Sequence, residues 1–257
     1  MRVLVLGASG FIGQHVSSHL VSGGHDVVPL KGAKSLDLCD ASAVSAFFAV
    51  NGPFDCVVHS CVQGGRRTKE EDAGIFWNNV RMLDTGECAR HTPYGLSKRV
   101  NDVLLREYDS AYNFRVFGCF GAGEADDRFI TRGVSCLRTS EELVVHQDRY
   151  FDFVYVEDLC KLVAAVVDGR DDIPRQLDAV YRTKVRLTDI ASIIGCAYRL
   201  GDASSLGAEY VGRGNGCLED YFANLVGLEE GITRMHHEEQ TAPRNAGTTI
   251  HGGKSLV

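Results

Sequence analysis

Three glycines near the amino end of the chain have the spacing of a phosphate-binding turn. Gly7, Gly10 and Gly13 follow the apolar run Val3–Leu6, and apolar residues recur at helical spacing from Ile12 onward. Four consecutive apolar residues are typical of a strand buried on both faces, as in a parallel sheet. A glycine turn between such a strand and a helix leaves backbone N–H groups and the positive end of the helix dipole available to a pyrophosphate. The stretch predicts a dinucleotide site, and the alternative is a structural turn in a chain with 28 glycines.

A second pair of residues has the spacing of a catalytic dyad. Tyr94 and Lys98 are four positions apart at the start of a predicted amphipathic helix that runs to about Tyr108. Residues four apart lie on the same face of a helix, so a phenol and an amine can approach the same ligand. By itself the pair equally fits an ordinary surface helix.

Together these motifs resemble those of a known superfamily. Gly-x-x-Gly-x-x-Gly at residues 7–13, Tyr-x-x-x-Lys at 94–98 and Asp-Phe-Val-x-Val-x-Asp at 152–158 are similar to the motifs of the extended short-chain dehydrogenases/reductases. That superfamily includes the nucleotide-sugar epimerases, dehydratases and reductases, and the resemblance continues almost to residue 240. It implies an α/β fold with a Rossmann-type, doubly wound parallel sheet and a small C-terminal substrate lobe.

The resemblance also implies roles for individual residues. In the superfamily the Tyr is the general acid/base, which makes Tyr94 and Lys98 the catalytic residues, with Lys98 holding the nicotinamide ribose and lowering the pKa of the Tyr94 phenol. Moving that pKa from ~10 to near 7 requires roughly 4 kcal/mol of preferential phenolate stabilisation. The expected cofactor contacts are Gly7, Ser9, Gly10, Phe11, Ile12, Gly13, Lys31, Asp37, Leu38, Ser60 and Lys98.

The residue type after the second strand selects the cofactor. An NAD-selective Rossmann site usually has Asp or Glu there to accept from the ribose 2′-hydroxyl, whereas this chain has Lys31 and Lys34. Two cations favour a 2′-phosphate, so NADP is preferred over NAD. The alternative is that both lysines are solvated surface residues.

Substrate contacts are expected at the carboxyl edge of the sheet. Candidates are Arg66, which follows the fourth strand, Asn79, Arg128 and Arg149. Arg66 and Arg67 equally fit a solvated loop. The position where the superfamily has a substrate-contacting Asn is Gly118, which puts one usual contact in doubt. Arg128 also stands where GDP-fucose synthases carry a catalytic His, so the mechanism of that subfamily is not supported.

The segments that must position these residues follow from the periodicity of apolar residues and the capping signals. Asp40 and Asp158 are read as helix N-caps, and Pro29 should lie near the end of its strand because it cannot donate to a ladder. Beyond the first strand and helix, the predicted strands are 25–30, 35–38, 54–61 and 113–118, and the predicted helices are 41–50, 72–89, 94–108, 159–167, 189–194 and 227–232.

One element of the superfamily has no room in this sequence. Between the Asn-bearing helix and the Tyr helix the superfamily has a strand that ends in a catalytic Ser or Thr, but here 88–93 joins the two predicted helices directly. A strand of ~5 residues with two loops of ~4 needs more than ten residues. Either the preceding helix ends early, near Thr85 and Gly86, or the sheet has a gap.

Composition limits the remaining possibilities. A chain of 257 residues with 44% hydrophobic residues can bury a large core, and its net charge of −7 disfavours nucleic acid. Nine cysteines without a C-x-x-C pair predict reduced thiols, no metal site and a cytoplasmic location. The absence of an apolar run of ~18 residues predicts no membrane segment. We expect a Rossmann domain at 1–118 with a contribution from 150–170, a substrate lobe at 119–240 and a disordered tail at 241–257.

These observations leave two functions from different classes. The first is an NAD(P)-dependent epimerase, dehydratase or reductase of a nucleotide sugar, with catalysis either full or impaired and with a homodimer as the candidate assembly. The second is a catalytically inactive NAD(P)-binding sensor or interaction protein. The missing Ser/Thr strand favours the second, and the Tyr94–Lys98 pair favours the first. A truncated or misassembled gene product is a third alternative.

Overall fold

The computed structural model describes residues 1–62, 73–81, 93–201, 209–212, 214 and 216–241. Its strands in chain order are β1 (Arg2–Leu6), β2 (Asp26–Leu30), β3 (Cys56–His59), β4 (Asn113–Arg115), β5 (Cys119–Phe120), β6 (Leu143–Val145), β7 (Val154–Tyr155), β8 (Gln176–Asp178) and β9 (Tyr198–Leu200). Its helices are α1 (Phe11–Ser22), α2 (Ala41–Asn51), α3 (Ala73–Arg81), α4 (Pro93–Leu105), α5 (Phe129–Thr139), α6 (Val156–Val167), α7 (Leu187–Ile194) and α8 (Gly227–Thr241), with a short 3₁₀ turn at Leu218–Asp220.

Strand β1 is the centre of a three-stranded parallel sheet with the order β2-β1-β3. Val3, Leu4 and Val5 are fully buried, as the apolar run predicts for a strand covered on both faces. The register pairs Leu6 with Leu30 of β2 and with His59 of β3, so the three strands end at the same edge. Pro29 is the second-last residue of β2, which confirms its predicted place.

The remaining described strands form three parallel pairs: β4 with β8, β5 with β7, and β6 with β9. Helices alternate with strands for most of the chain, and the larger core cluster joins Val3 and Val16 to Ile130, Ile190 and Met235. The α/β class with parallel strands is therefore confirmed.

The predicted third strand at 35–38 is wrong. This stretch forms consecutive turns, in which the Ser35 N–H donates to Gly32 O at 2.9 Å and the Asp40 N–H donates to Asp37 O at 3.1 Å. The Asp37 carboxylate accepts from the Cys39 N–H at 2.9 Å. Because these backbone groups bond to one another along the chain, they are not available to a neighbouring strand.

The predicted strand at 113–118 is divided into two. Its first part, β4, pairs with β8, whereas β5 pairs with β7. Between them Gly118 lies against aromatic rings: a Cβ at this position would be 2.7 Å from Phe153 Cδ1 and 3.0 Å from Phe151 Cε1. Only glycine allows the backbone to pass this close.

Helix starts are confirmed in one case and corrected in another. The Asp40 carboxylate accepts from the N–H groups of Ser42 and Ala43, so it caps α2 as predicted. Asp158 was predicted as the N-cap of its helix, but α6 begins at Val156, and Asp158 lies inside the first turn. Its carboxylate accepts instead from the N–H groups of Val226 and Gly227 at the start of α8. Asp158 therefore caps α8 and not its own helix.

Several predictions fall on residues outside the described part of the chain. The predicted helix at 72–89 is described from Ala73 to Arg81, whereas residues 82–92, which hold the short join, are not described. The same applies to Arg66 and to residues 242–257 of the predicted tail. No helix among the described residues combines the length and the apolar composition needed to cross a membrane.

Candidate cofactor and substrate site

The register of the central sheet brings three of the predicted cofactor residues to one edge. The residues directly after β1, β2 and β3 are Gly7, Lys31 and Ser60, respectively. The last residue of β1 is paired with the last residues of β2 and of β3. The Ala8 N–H donates to Leu30 O at 2.9 Å, which fastens the glycine turn to the end of β2. Ligands of open parallel sheets bind at this carboxyl edge.

The three glycines do different work in the turn. Gly7 has a φ of +82°, which an L side chain rarely adopts, and Gly13 lies so close to it that an added Cβ would be 2.2 Å from Gly7 O. Gly10 is exposed, and the nearest atom to an added Cβ is Gly7 O at 3.3 Å. Gly7 and Gly13 therefore permit the turn itself, whereas a Cβ on the exposed Gly10 would make a tight contact that a small shift of Gly7 O relieves.

Ser60 supports the turn from the neighbouring strand. Its hydroxyl donates to Leu6 O at 2.8 Å, and its N–H donates to the same oxygen at 3.0 Å. The hydroxyl oxygen would also be 2.9 Å from a Cβ on Gly7 or on Gly13. In the structure Ser60 thus fixes the end of β1 and fills the space that the two glycines leave.

The amino end of α1 has the properties of an anion site. Its N-cap is Gly10, which supplies no capping side chain, and no acidic residue lies in the first turn. The N–H groups of such a first turn have no partner within the helix, and the helix dipole is positive there. Ser9 is exposed beside it, and Phe11 and Ile12 are half-buried. These residues fit the diphosphate of a dinucleotide.

The adenosine side of the predicted site lies after β2. Lys31 and Lys34 are exposed, and Asp37 is exposed with its carboxylate bonded to the Cys39 N–H. Leu38 is half-buried. The two lysines therefore lie in the segment that follows β2, whose last residue is bonded to the glycine turn.

Helix α4 carries the positions of Tyr94 and Lys98 one turn apart, as predicted. Ser97 and Asn101 are buried on this helix, and Asn101 Nδ2 donates to the Asn79 carbonyl of α3 at 2.9 Å. Asn79 is fully buried, so it lies in the contact between α3 and α4. The side chains of Tyr94 and Lys98 are not among the described ones.

Two of the predicted substrate arginines, Arg128 and Arg149, belong to the described part of the chain. Arg128 is exposed and is the N-cap residue of α5. The Arg149 guanidinium lies over the Phe151 ring, 5.5 Å from its centroid. Phe151 stacks on Phe153 with their centroids 4.5 Å apart, and these are the rings that crowd Gly118. The space of a side chain at position 118 is therefore taken by aromatic rings.

A carboxyl group that the motifs do not mark lies in the turn after β5. Glu124 is half-buried in the turn after β5, and Thr131 Oγ1 donates to its Oε2 at 2.9 Å. Burial raises the pKa of Glu124 to about 7, although the Thr131 hydrogen bond and the Arg128 charge oppose the shift. The sequence around Glu124 offers no signal for this, because the turn that carries it packs against α1, which is distant along the chain.

Comparison with known proteins identifies the family. The model of the NAD dependent epimerase/dehydratase family matches residues 3–85 and 79–178, which is more than half of the chain. The chain belongs to this family. The Rossmann-type fold implied by the glycine turn is thereby confirmed, and the family description makes NAD its cofactor class.

Individual relatives of this chain are remote in sequence. CDP-abequose synthase of Salmonella typhimurium is 21% identical over 215 residues, which cover 67% of this chain and 72% of that protein. The structure is similar to TunA, an NAD-dependent NDP-hexosamine 5,6-dehydratase involved in tunicamycin biosynthesis, with a TM-score of 0.77, 17% identity and coverage of 94% and 98% of the two chains. It is also similar to Thermus thermophilus UDP-glucose 4-epimerase in complex with NAD, with a TM-score of 0.73, 16% identity and coverage of 95% and 100%.

Proposed function

We propose that this chain binds a nicotinamide adenine dinucleotide at the glycine turn and modifies the sugar of a nucleotide sugar. The observation that carries the proposal is the amino end of α1, where Gly10 supplies no capping side chain and no acidic residue lies in the first turn, beside the close contact of Gly13 with Gly7. A bound nicotinamide cofactor supplies hydride transfer, and the protein supplies binding, orientation and proton transfer.

Proton transfer is assigned to Tyr94. The positions of Tyr94 and Lys98 one turn apart in α4 support this role, because an amine on the same helix face can stabilise the phenolate. Asn79, buried between α3 and α4, is proposed to shape the same site from α3.

The nucleotide-sugar substrate is supported by the relatives, whose names include CDP-abequose synthase, an NDP-hexosamine dehydratase and UDP-glucose 4-epimerase. Arg128 and Arg149 are proposed to contact its diphosphate, because each is a cation in the segment that follows a parallel strand, β5 for Arg128 and β6 for Arg149. Arg66, in the segment after β3, is proposed as a third contact.

NADP is proposed as the preferred cofactor, since Lys31 and Lys34 are exposed directly after β2. The test is to titrate NADPH and NADH by calorimetry. We expect NADPH to bind more tightly, and Lys31→Glu should shift the preference toward NADH by about tenfold, as expected for the loss of one charge-assisted contact. Equal affinities in the native chain would contradict the proposed role of the lysines. A screen of GDP-, UDP-, CDP- and dTDP-sugars on the same preparation then tests the substrate class.

The second candidate function is cofactor binding without effective catalysis. The family model matches the chain in two separate segments, which overlap at residues 79–85, close to the short join before α4. This interruption of the match favours the second candidate. In that case the chain would act as a sensor or interaction protein that binds the cofactor.

A homodimer and a cytoplasmic location complete the proposal. Trp77 on α3 and Val103 on α4 are 58% and 60% exposed on two helices that pack against each other, and a second copy would cover them. We expect light scattering to give the mass of two chains. The cytoplasm is supported by the eight described cysteines, none of which is in a disulfide.

A further inference from the structure

Glu124 lies in a turn that packs against the helix of the proposed diphosphate site. Its N–H donates to Gly121 O at 3.2 Å, which closes the turn. A Cβ on Gly121 would be 3.5 Å from Phe11 Cζ, and His15 Nε2 lies 2.9 Å from Ala122 O. The turn that carries Glu124 thus rests on the first two turns of α1.

The carboxyl group of Glu124 is surrounded from three elements. From α5 it receives the Thr131 hydrogen bond, and Thr131 is itself buried. Arg128 and Asp127, just before α5, contribute charges of opposite sign. The thiol of Cys119 at the end of β5 is a further titratable neighbour, and its pKa is raised well above its usual value by burial and then by Glu124. His15 is the titratable group that α1 presents to this turn.

These surroundings leave the protonation of Glu124 open to control by a ligand. Burial is the main influence on the group, and it disfavours the charged form. A diphosphate bound at the amino end of α1 would disfavour that form further, because like charges repel across a partly desolvated site.

We propose that Glu124 is a proton-linked determinant of cofactor affinity, whose neutral form admits the dinucleotide diphosphate and whose ionised form repels it. The proposal rests on the proposed cofactor function. Binding then takes up one proton from solvent onto a Glu124 carboxylate oxygen, and release of the cofactor returns it.

The test is to measure the dissociation constant of NADH at pH 6 and pH 8 by fluorescence. NADH is the probe because its diphosphate is a diester, whereas the terminal 2′-phosphate of NADPH titrates near pH 6. If only the neutral form binds, a group that titrates near pH 7 weakens binding by about tenfold over this range. We expect that fall in the native chain and no fall in Glu124→Gln, which keeps an acceptor for Thr131.

Two further variants make the result specific. Glu141→Gln changes an exposed carboxyl that pairs with Arg132, and it should keep the native fall in affinity. Thr131→Val removes a hydrogen bond that stabilises the ionised form, so the midpoint of the fall should move to higher pH, which a purely structural role would not produce. It also keeps the proposal testable if Glu124→Gln does not fold.

The proposal and the proposed function fail in different ways. If NADH binds and its affinity falls equally in the native chain and in Glu124→Gln, the titrating group lies elsewhere, and the proposal is overturned. A flat profile in the native chain overturns it as well. If NADH binds at neither pH, the proposed cofactor function is wrong, and this proposal falls with it.

Discussion

At the scale of single residues, the glycine turn separates structural need from ligand access. Gly13 cannot carry a Cβ because Gly7 O occupies its place at 2.2 Å, whereas Gly10 has a φ of −79° and its Cβ would meet the same oxygen at 3.3 Å. The spacing of the glycines predicted the turn but not this division. The difference arises from how closely α1 packs on the end of β1, which spacing alone does not contain.

The two positions therefore give a matched pair of variants. We expect Gly10→Val to weaken NADPH binding by about 100-fold, or roughly 2.7 kcal/mol, because the side chain enters the space of the diphosphate. Its loss of stability should be smaller than that of a change at Gly13, because its Cβ contact with Gly7 O is longer. Gly13→Ala should instead lower the free energy of unfolding by about 3 kcal/mol, since its Cβ overlaps a backbone oxygen. Calorimetry and urea unfolding measure the two effects. Native affinity in Gly10→Val would mean that the turn is only structural.

Residue roles that depend on distant contacts were not predictable from the sequence. Ser60 was predicted as a cofactor contact from its place after a strand, and the structure shows that its hydroxyl is bonded to Leu6 O. Glu124 has no motif, and its environment is made by α1 and α5. His15 and Ala122, which join α1 to the Glu124 turn, are 107 positions apart in the sequence.

At the scale of elements, Asp158 joins two helices. Its carboxylate is fully buried and accepts from Val226 and Gly227 at 2.9 Å, from Tyr181 Oη at 2.6 Å and from Lys161 Nζ at 2.9 Å. Burial alone would raise the pKa of Asp158, but these hydrogen bonds outweigh it and hold the pKa below its usual value. The amino end of α8 is thus fastened to the first turn of α6.

Removing this carboxylate should uncouple the two helices. We expect Asp158→Ala to lower the free energy of unfolding by about 3–5 kcal/mol, because buried donors lose their acceptor. Asp171 is exposed, so Asp171→Ala is the matched control and should change the free energy of unfolding by less than about 0.5 kcal/mol. Urea unfolding at pH 7 measures both, and an equal effect of the two variants would contradict the coupling.

The same contact has a defined pH dependence. The pKa of Asp158 is lower in the folded chain than the value of ~3.9 in the unfolded chain. The stability that the ionised Asp158 carboxylate contributes is therefore complete above about pH 4, and it is lost as the pH falls through the pKa of Asp158 in the folded chain. The stability difference between the native chain and Asp158→Ala should accordingly narrow below pH 4.

Element boundaries show where periodicity is sufficient and where it is not. The buried β1 and the Asp40 cap of α2 were predicted because each depends on neighbouring residues alone. The third strand was wrong because local turns at 32–40 satisfy the backbone. The strand at 113–118 was divided because Phe151 and Phe153 pack against Gly118 from another part of the chain.

At the scale of the whole molecule, the question is whether the short join before α4 can deliver Tyr94 to the nicotinamide. The described part of α3 ends at Arg81, and that of α4 begins at Pro93. The eleven residues 82–92 lie between them in the sequence. A strand of ~5 residues with two loops of ~4 requires about thirteen. Even when helix α3 stops at Arg81, the segment is short for the crossing that places the superfamily's Ser or Thr.

We therefore expect the chain to bind its cofactor but to turn over nucleotide sugars with a kcat below about 1 s⁻¹, under the usual range of ~1–10³ s⁻¹. Loss of one donor to the developing alkoxide typically costs ~10²–10³ in rate, before any displacement of Tyr94. Cofactor affinity should suffer less, because the glycine turn and Lys31 follow β1 and β2, whose pairing is formed by residues 2–30 alone. NADPH binding and steady-state turnover are measured on one preparation, and both are repeated with Tyr94→Phe. A native kcat within the usual range that collapses in Tyr94→Phe, while NADPH binding is unchanged, would show that residues 82–92 do complete the site.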